Sequence, residues 1–395
     1  MELRPARADE LDAFSTAVLS AFHEELTDDE RRRYMKIHEA DRSLAWFDGD
    51  AIVGTSSLFT RTLTVPGAQI PVGAVTAVAV LPTHRRRGLL TGMMRRQLEN
   101  VRDAGEPVAA LWASEGAIYG RFGFGVATQI AELAARRPAA RLRERPAAAP
   151  ALRSGPVGEH LEPIRALFDR VAPTRVGVLT RPGPWWDERI HDPESDREGA
   201  TALRAVVGEE GYAIYAVKRK WDDDGPAGQV VIREALTTSP AGHAAVWGFL
   251  LDLDLTRTIT WDLAPADEPL WLALADPRAV RRVVGDALWV RIVDVPAALS
   301  ARTYATDPDV VLDVRDEFCP WAAGRYRLHG AGCERTGNEP DLELDASALG
   351  AAYLGGTTLR ELAAAGRVAE RTPGALARAS AAFRGDVAPW CPEIF

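Results

Sequence analysis

Residues 78–94 read VAVLPTHRRRGLLTGMM. A strand-like apolar run ends at Pro82, three arginines follow at Arg85, Arg86 and Arg87, and Leu89, Leu90, Met93, Met94, Leu98 and Val101 then recur at helical spacing up to Gly105. The start of a helix carries partial positive charge and prefers acidic neighbours, so cations gathered there are unfavourable by themselves. Something negative must offset them. First-turn amide N–H groups have no intrahelical partner, and arginine adds forked, charge-assisted hydrogen bonds of about 1.5–3 kcal/mol each. A pyrophosphate over Gly88 and Leu89 would satisfy both, and a β-carbon at Gly88 would obstruct its approach. No Gly-Lys-Ser/Thr follows and there is no glycine trio, so neither a Walker loop nor a dinucleotide fold is indicated. An isolated RRRG also fits a solvated basic turn. The flanking strand and helix favour the anion site.

The chain around this stretch reads as mixed α/β. LDAFSTAVLSAFHEEL (11–26) is helical by its period, SLAWFDGDAIVGTSSLFTRTLTV (43–65) is a hairpin broken at Gly49-Asp50, AVTAVAVL (74–81) is a short strand, and PVAALWAS (107–114) is a buried one. These elements predict a first α/β domain over 1–135. RRPAARLRERPAAAPALRSGP (136–156) has the composition of a connector. It opens a second α/β segment, 136–296, with strands at GYAIYAVKRKW, GQVVIREALTT, TRTITWDL and LWVRIVDV, a helix at HAAVWGFLLDLDL, and a hairpin turn at WDDDG (221–225). This segment echoes the first but has no basic turn after a strand, and there is no strict internal repeat. From 297 to 395 the pattern becomes α+β, with strands at DVVLDVRDEF and GRYRLHG and helical stretches at DASALGAAYLGG and TTLRELAAAG.

Composition narrows the function. At 395 residues with 47 % hydrophobic and 26 % charged residues, the chain is a multidomain globular protein. Its net charge of −9 disfavours nucleic acid or an anionic membrane surface and suits cationic partners. The N-terminus MELRPARADE shows no secretory signal and no run is long enough to span a bilayer, which together with three cysteines that form no disulfide or zinc pattern predicts a cytoplasmic protein. Seven histidines without HxxxH or HExxH spacing give no expectation of a metal.

The order strand, RxxG, helix resembles the coenzyme A signature of the GCN5-related (GNAT) N-acetyltransferases, with Leu90 where that signature has Gly or Ala. VAVLPTHRRRGLL together with ASEGAIYGRFGFG (113–125) is similar, more specifically, to the Eis family of actinobacterial aminoglycoside acetyltransferases. The resemblance implies a GNAT domain, a second degenerate GNAT-like domain, and a C-terminal sterol-carrier-like module that supplies the terminal carboxylate. It implies acetyl-CoA as co-substrate: Val78, Ala79 and Val80 along the pantetheine arm, Arg85, Arg86, Gly88 and Leu89 on the pyrophosphate, Arg87, Leu90 and Thr91 close by, and Ser114 and Glu115 near the thioester. It makes Tyr119 the general acid that protonates the expelled thiolate, a job open to a phenol of pKa about 10. The base by resemblance is the carboxylate of Phe395, a weak one at an ordinary pKa of about 3.3–3.7. A homohexamer is implied as well.

Read from residues alone, SEGAIYGRFGFG could be a hairpin packed on the core, and the apolar ending Trp390-Cys391-Pro392-Glu393-Ile394-Phe395 argues for a tail that is buried rather than frayed. A polyamine or aminoglycoside-like substrate needs carboxylates and aromatic faces, for which Glu24, Glu25, Asp28, Asp29, Trp185, Trp186, Asp187 and Glu393 are candidates. Cys391 lacks any neighbour that would activate it as a nucleophile. Two other readings stay open: acetylation of protein lysines, and a non-enzymatic lipid or acyl-CoA carrier built on the C-terminal module.

Overall fold

The computed structural model describes residues 1–25, 27–144, 151–330 and 332–395, so Leu26 at the end of the expected first helix and residues 145–150 of the expected connector lie outside the described residues. Two compact units emerge: Met1–Thr128 with Ala287–Pro389 and Ile394–Phe395, and Gln129–Asp286 with Trp390–Glu393.

In the first unit, β1 (Glu2–Pro5), α1 (Leu11–Phe22), α2 (Asp28–Ile37), β2 (Leu44–Asp48), β3 (Ala51–Val65), β4 (Ala68–Val80), α3 (Leu89–Asp103), β5 (Val108–Trp112), α4 (Gly116–Tyr119) and β6 (Gly125–Val126) follow in order. Helix α1 stops at Phe22 because His23 turns left-handed (φ 59°) and returns its N–H to Leu19. The β2–β3 hairpin forms at Gly49-Asp50 as expected. Strand β4 starts earlier than its apolar core suggests, since Pro71 and Gly73 are carried inside a continuous ladder with β3. The β3–β4 turn is Pro66-Gly67, where Gly67 sits at φ 79°.

The second unit contains β7 (Gln129–Arg136), β8 (Arg153–Pro156), α5 (Leu161–Val171), α6 (Gly183–Ile190), β9 (Arg204–Gly208), β10 (Gly211–Lys218), the small hairpin β11 (Trp221–Asp222) and β12 (Gly225–Pro226), then β13 (Gly228–Thr237), α7 (Pro240–Asp252), β14 (Thr256–Pro265), α8 (Leu270–Ala273) and β15 (Val280–Asp286). Its seven-stranded sheet runs β15-β7-β14-β13-β10-β9-β8, and the expected turn at WDDDG is the β11–β12 hairpin. The chain then returns to the first unit with β16 (Leu288–Ile292), α9 (Val295–Ala301), β17 (Val310–Arg315), β18 (Gly324–His329), β19 (Gly332–Arg335), β20 (Leu342–Asp345), α10 (Ala346–Tyr353), α11 (Leu359–Ala364), β21 (Val368–Glu370) and α12 (Ala375–Phe383). The first unit holds a seven-stranded sheet, β1-β2-β3-β4-β5-β16-β6, and a five-stranded sheet, β19-β18-β17-β20-β21.

Three sequence readings change. LWVRIVDV, expected in the second segment, supplies β16, which pairs with β5 and β6 in the first sheet. QIAELAAR, expected to close the first domain, supplies β7, which pairs with β14 and β15 in the second sheet. Each large sheet is therefore completed by a strand from beyond its contiguous segment, and β16, buried at every position, is the kind of apolar run that belongs between two neighbours. SEGAIYGRFGFG is not a hairpin: α4 and a 3₁₀ turn at Gly120–Phe122 occupy it, closed by Gly123 at φ 84°.

The second unit's core is organised around a charge. Arg181, fully buried, donates to Glu234 at 3.1 and 2.9 Å and to Glu393 at 2.8 Å, with its guanidinium 4.1 Å from the centre of the Phe168 ring and 4.5 Å from that of Trp186. Tyr212 donates its hydroxyl to Glu234 at 2.6 Å. Burial works against the Glu234 charge, but the Arg181 and Arg189 guanidinium groups outweigh it and hold this carboxyl down to about 2. A carboxyl depressed on folding stabilises above its unfolded value near 4.3 and loses that contribution as pH falls toward the folded one. Glu234→Gln should therefore cost about 3–5 kcal/mol at pH 7, because Arg181 is left with Glu393 alone and Arg189 loses its contact with Glu234. It should also flatten the acid loss of stability between about pH 5 and pH 2, as read by denaturant midpoints across pH.

Candidate active site

The site grows from a failure of strand pairing. Strands β4 and β5 run parallel but are bonded only from Val72–Ala74 to Val108–Ala110. Beyond that, β4 bulges: Ser57 pairs with Thr76 but Thr55 with Ala79, and Ala77 takes φ 50° while its carbonyl accepts the Thr55 hydroxyl at 2.9 Å. The β5-facing edge of Val78–Val80 is left without a strand beside it. An extended chain could be added there.

After β4 come a short 3₁₀ turn, Pro82–His84, and the arginines. Arg86 (φ 62°) and Gly88 (φ 81°) are both left-handed, so the chain turns sharply between β4 and α3. Gly88 is the residue before α3 and offers no side-chain cap, so the first-turn amides stay open. In the second unit α7 begins differently: Ser239 accepts the Gly242 N–H at 2.9 Å, and only Thr238 and Ser239 separate it from β13. Arg85, Arg86 and Arg87 are exposed, and among the described residues Arg86 and Arg87 have no ion pair or hydrogen bond, while Arg85 makes only a long one, 3.5 Å, to the Val80 carbonyl. Among the described residues no carboxylate pairs with these cations. The helix start is pinned to the sheet by Trp46, whose indole N–H donates to the Leu89 carbonyl at 3.0 Å. It lies close enough over Gly92 that a β-carbon there would meet the ring at 3.0 Å.

Between the bulged edge, the helix start and the turn after β5 lies a cleft of about 610 Å³. Val78, Ala79, Val80, Arg85, Arg86, Gly88, Leu89, Leu90, Thr91, Ser114, Glu115 and Tyr119 line it together. Arg87 lies in the same turn but is not part of the lining. Phe395 is half-buried and groups with the first unit, and it too is not part of the lining. Tyr119 is 6 % exposed, its ring stands edge-on to Phe124 with centres 6.1 Å apart, and its hydroxyl has no hydrogen-bond partner among the described residues. Burial, aided by the Glu115 charge, pushes that hydroxyl up to about 12. It remains a proton donor at any physiological pH.

The cleft also takes in Ala21, Phe22, His84, Ile118 and Arg121, which sequence reasoning missed. Phe22, 41 % exposed at the end of α1, stands two residues before Glu24, the first of the acidic residues already singled out, and its exposure beside carboxylates shows only in the structure. Glu24 and Glu25 are exposed just beyond it, while Asp29 is engaged by Arg32 and Arg33 of its own helix at 3.2 and 3.3 Å. Two substrate candidates have structural work instead: Trp186 is a core residue standing edge-on to Phe168, and Glu393 is the buried partner of Arg181. Trp390 and Cys391 are buried as the apolar ending suggested, but Ile394 is 63 % exposed. Among the described residues no group of His, Cys, Asp and Glu could hold a metal ion, and no helix is long and apolar enough to cross a membrane.

Comparison with known proteins places the chain in a family. Residues 2–127 and 177–292 each match a family described as acetyltransferase (GNAT) domain, and residues 295–392 match the sterol carrier protein domain. An uncharacterized N-acetyltransferase of Streptomyces avermitilis is 46 % identical over 93 % of this chain and 92 % of its own length. The N-acetyltransferase Eis of Mycobacterium tuberculosis is 37 % identical over 86 % of this chain and 85 % of its own. The crystal structure of Eis1 from Mycobacterium abscessus superposes with a TM-score of 0.89 at 34 % identity, covering 100 % of both chains. A chain with two GNAT domains and a sterol-carrier-type module, alike to Eis proteins along nearly its whole length, belongs to the Eis family of GNAT N-acetyltransferases.

Proposed function

We propose that this N-acetyltransferase moves an acetyl group from acetyl-CoA to primary amines of polycationic small molecules, aminoglycosides among them, by direct transfer in a ternary complex. The observation that carries this reading is the convergence of an unpaired strand edge, an uncapped cationic helix start and a buried, unpartnered phenol on one cleft. Its volume of about 610 Å³ lies within the range of small-molecule sites.

Each part has a chemical task. The edge of Val78, Ala79 and Val80 takes the amide-bearing pantetheine arm as an added strand. Arg85 and Arg86, with the amides of Gly88 and Leu89, offset the diphosphate, and Arg87, Leu90 and Thr91 flank it. Ser114 and Glu115 border the thioester end. The amine attacks the thioester carbonyl, the carbon–sulfur bond breaks, Tyr119 gives its proton to the departing thiolate, and the carboxylate of Phe395 accepts the proton lost by the amine. Phe22, Glu24 and Glu25, where α1 meets the cleft, offer an aromatic face and negative charge to a polycation. With this function we propose a cytoplasmic protein that assembles as the homohexamer expected of its family, and a division of labour in which residues 1–135 without β7 bind the donor, 136–296 without β16 form the degenerate GNAT-like part and 297–395 supply the terminal carboxylate.

Release of free thiol from acetyl-CoA with aminoglycosides and with lysine peptides tests the substrate class. Amine-independent silence would favour an acyl-CoA carrier, and preference for the peptides would favour a protein acetyltransferase. Tyr119→Phe, or one glycine appended after Phe395, should lower kcat by roughly a hundredfold or more while leaving acetyl-CoA affinity unchanged. Arg85→Ala with Arg86→Ala should weaken coenzyme A binding by about 1.5–3 kcal/mol per lost contact, read by calorimetry. Since Tyr119 is held near 12, kcat should show no alkaline loss below about pH 10; a decline beginning near pH 8 would count against this acid.

A further inference from the structure

The C-terminal module reaches back to the turn that carries Tyr119. Asp316, just beyond the end of β17, accepts the Cys319 N–H at 2.8 Å with one oxygen and a hydrogen bond from Arg291 with the other. Arg291 lies on β16 and is completely buried. Its guanidinium rests against Gly123, where a β-carbon would come within 2.8 Å of the Arg291 Cζ, and Gly123 closes the 3₁₀ turn following Tyr119. Two residues on from Asp316, Phe318 packs its ring 4.9 Å, centre to centre, from Phe122 of the same turn. Ser347, in α10, donates its hydroxyl to the Phe124 carbonyl at 2.6 Å. On the other side, Arg95 of α3 lies 4.6 Å from the centre of the Phe318 ring and donates to the Phe318 carbonyl at 2.8 Å. One short segment thus touches both the helix that begins at the arginine turn and the turn that presents the phenol.

Packing alone does not call for this arrangement. A fully buried ion pair contributes little stability compared with well-packed apolar residues of the same volume, and two guanidinium nitrogens of Arg291, Nε and Nη1, lack hydrogen-bond partners among the described residues. What a charge held by one carboxylate against a glycine backbone does supply is a fixed position for that backbone. We infer that Arg291 and Asp316 are positioning residues for acetyl transfer: Asp316 fixes the Arg291 guanidinium, which fixes the backbone at Gly123 and so the Tyr119 hydroxyl relative to the start of α3. The sterol-carrier-type module then serves catalysis by holding the acid in place. This inference rests on Tyr119 being the general acid.

The test uses the full-length enzyme with acetyl-CoA and an aminoglycoside, and four variants: Asp316→Asn, Tyr119→Phe, the two combined, and Arg291→Met with Asp316→Leu, which keeps the volume apolar where Asp316→Asn fails to fold. A displacement of order an ångström predicts that Asp316→Asn lowers kcat roughly ten- to a hundredfold with the KM for acetyl-CoA nearly unchanged. The Met/Leu variant should show the same deficit at undiminished thermal stability. In the Tyr119→Phe background Asp316→Asn should bring no further loss, because the group it positions is gone. A folded Asp316→Asn or Met/Leu variant with wild-type kcat, or a loss that multiplies with that of Tyr119→Phe, overturns the inference while leaving Tyr119 as the acid. A Tyr119→Phe enzyme as active as wild type overturns the acid assignment and the inference together.

Discussion

Two parallel strands that separate after three residue pairs are the constraint from which the site follows. Had β4 and β5 stayed paired, the edge of Val78–Val80 would be consumed by its neighbour and α3 would begin against a closed sheet. The bulge at Ala77 prevents this, and the Thr55 hydroxyl bonded to the Ala77 carbonyl stabilises a left-handed residue that would otherwise be strained. The opening then meets a helix start with no capping side chain and three exposed arginines. The puzzle of cations at a positive helix end is resolved if the chain leaves that charge for a ligand to neutralise. The second unit supplies a control within the same molecule. Its β13–α7–β14 crossover has the same parallel topology, but a two-residue link and a serine cap satisfy the helix start internally, and no arginine turn is present.

Buried arginine serves both units in different ways. In the second unit Arg181 is saturated, with two carboxylates and two aromatic faces, and its work is cohesion of the core. In the first, Arg291 has one carboxylate and a glycine backbone, an undersupplied environment that makes sense where geometry matters more than stability. This difference in partners is what the positioning role inferred for Arg291 rests on.

Much of this was legible in the sequence because it was local. The hairpin at Gly49-Asp50, the helix from Leu89 to the neighbourhood of Gly105, the buried strand before Ser114 and the WDDDG turn each depend on neighbours within a few residues. The grouping of the arginine turn with Ser114, Glu115 and Tyr119 rested on family resemblance, and the shared cleft is consistent with it. What could not be read was tertiary. The exchange of β16 and β7 between sheets depends on which apolar edges find each other, and β4 was read short because Pro71 and Gly73 look like breakers where Pro71 in fact pairs with Thr62 inside the ladder. Glycine density around Tyr119 suggested a hairpin, yet Gly123 serves to end a 3₁₀ turn at close quarters with Arg291, a contact between residues far apart in the chain. The role of Phe22 was hidden because an aromatic at a helix end looks like core until the surrounding space is seen.

A structure of the protein soaked with acetyl-CoA tests the account most directly. The diphosphate should lie against the Gly88 and Leu89 amides with Arg85 and Arg86 on its oxygens, the pantetheine arm should run along Val78–Val80, and the thioester sulfur should come within hydrogen-bonding distance of the Tyr119 hydroxyl. A diphosphate bound away from that helix start, or a sulfur remote from Tyr119, would contradict it.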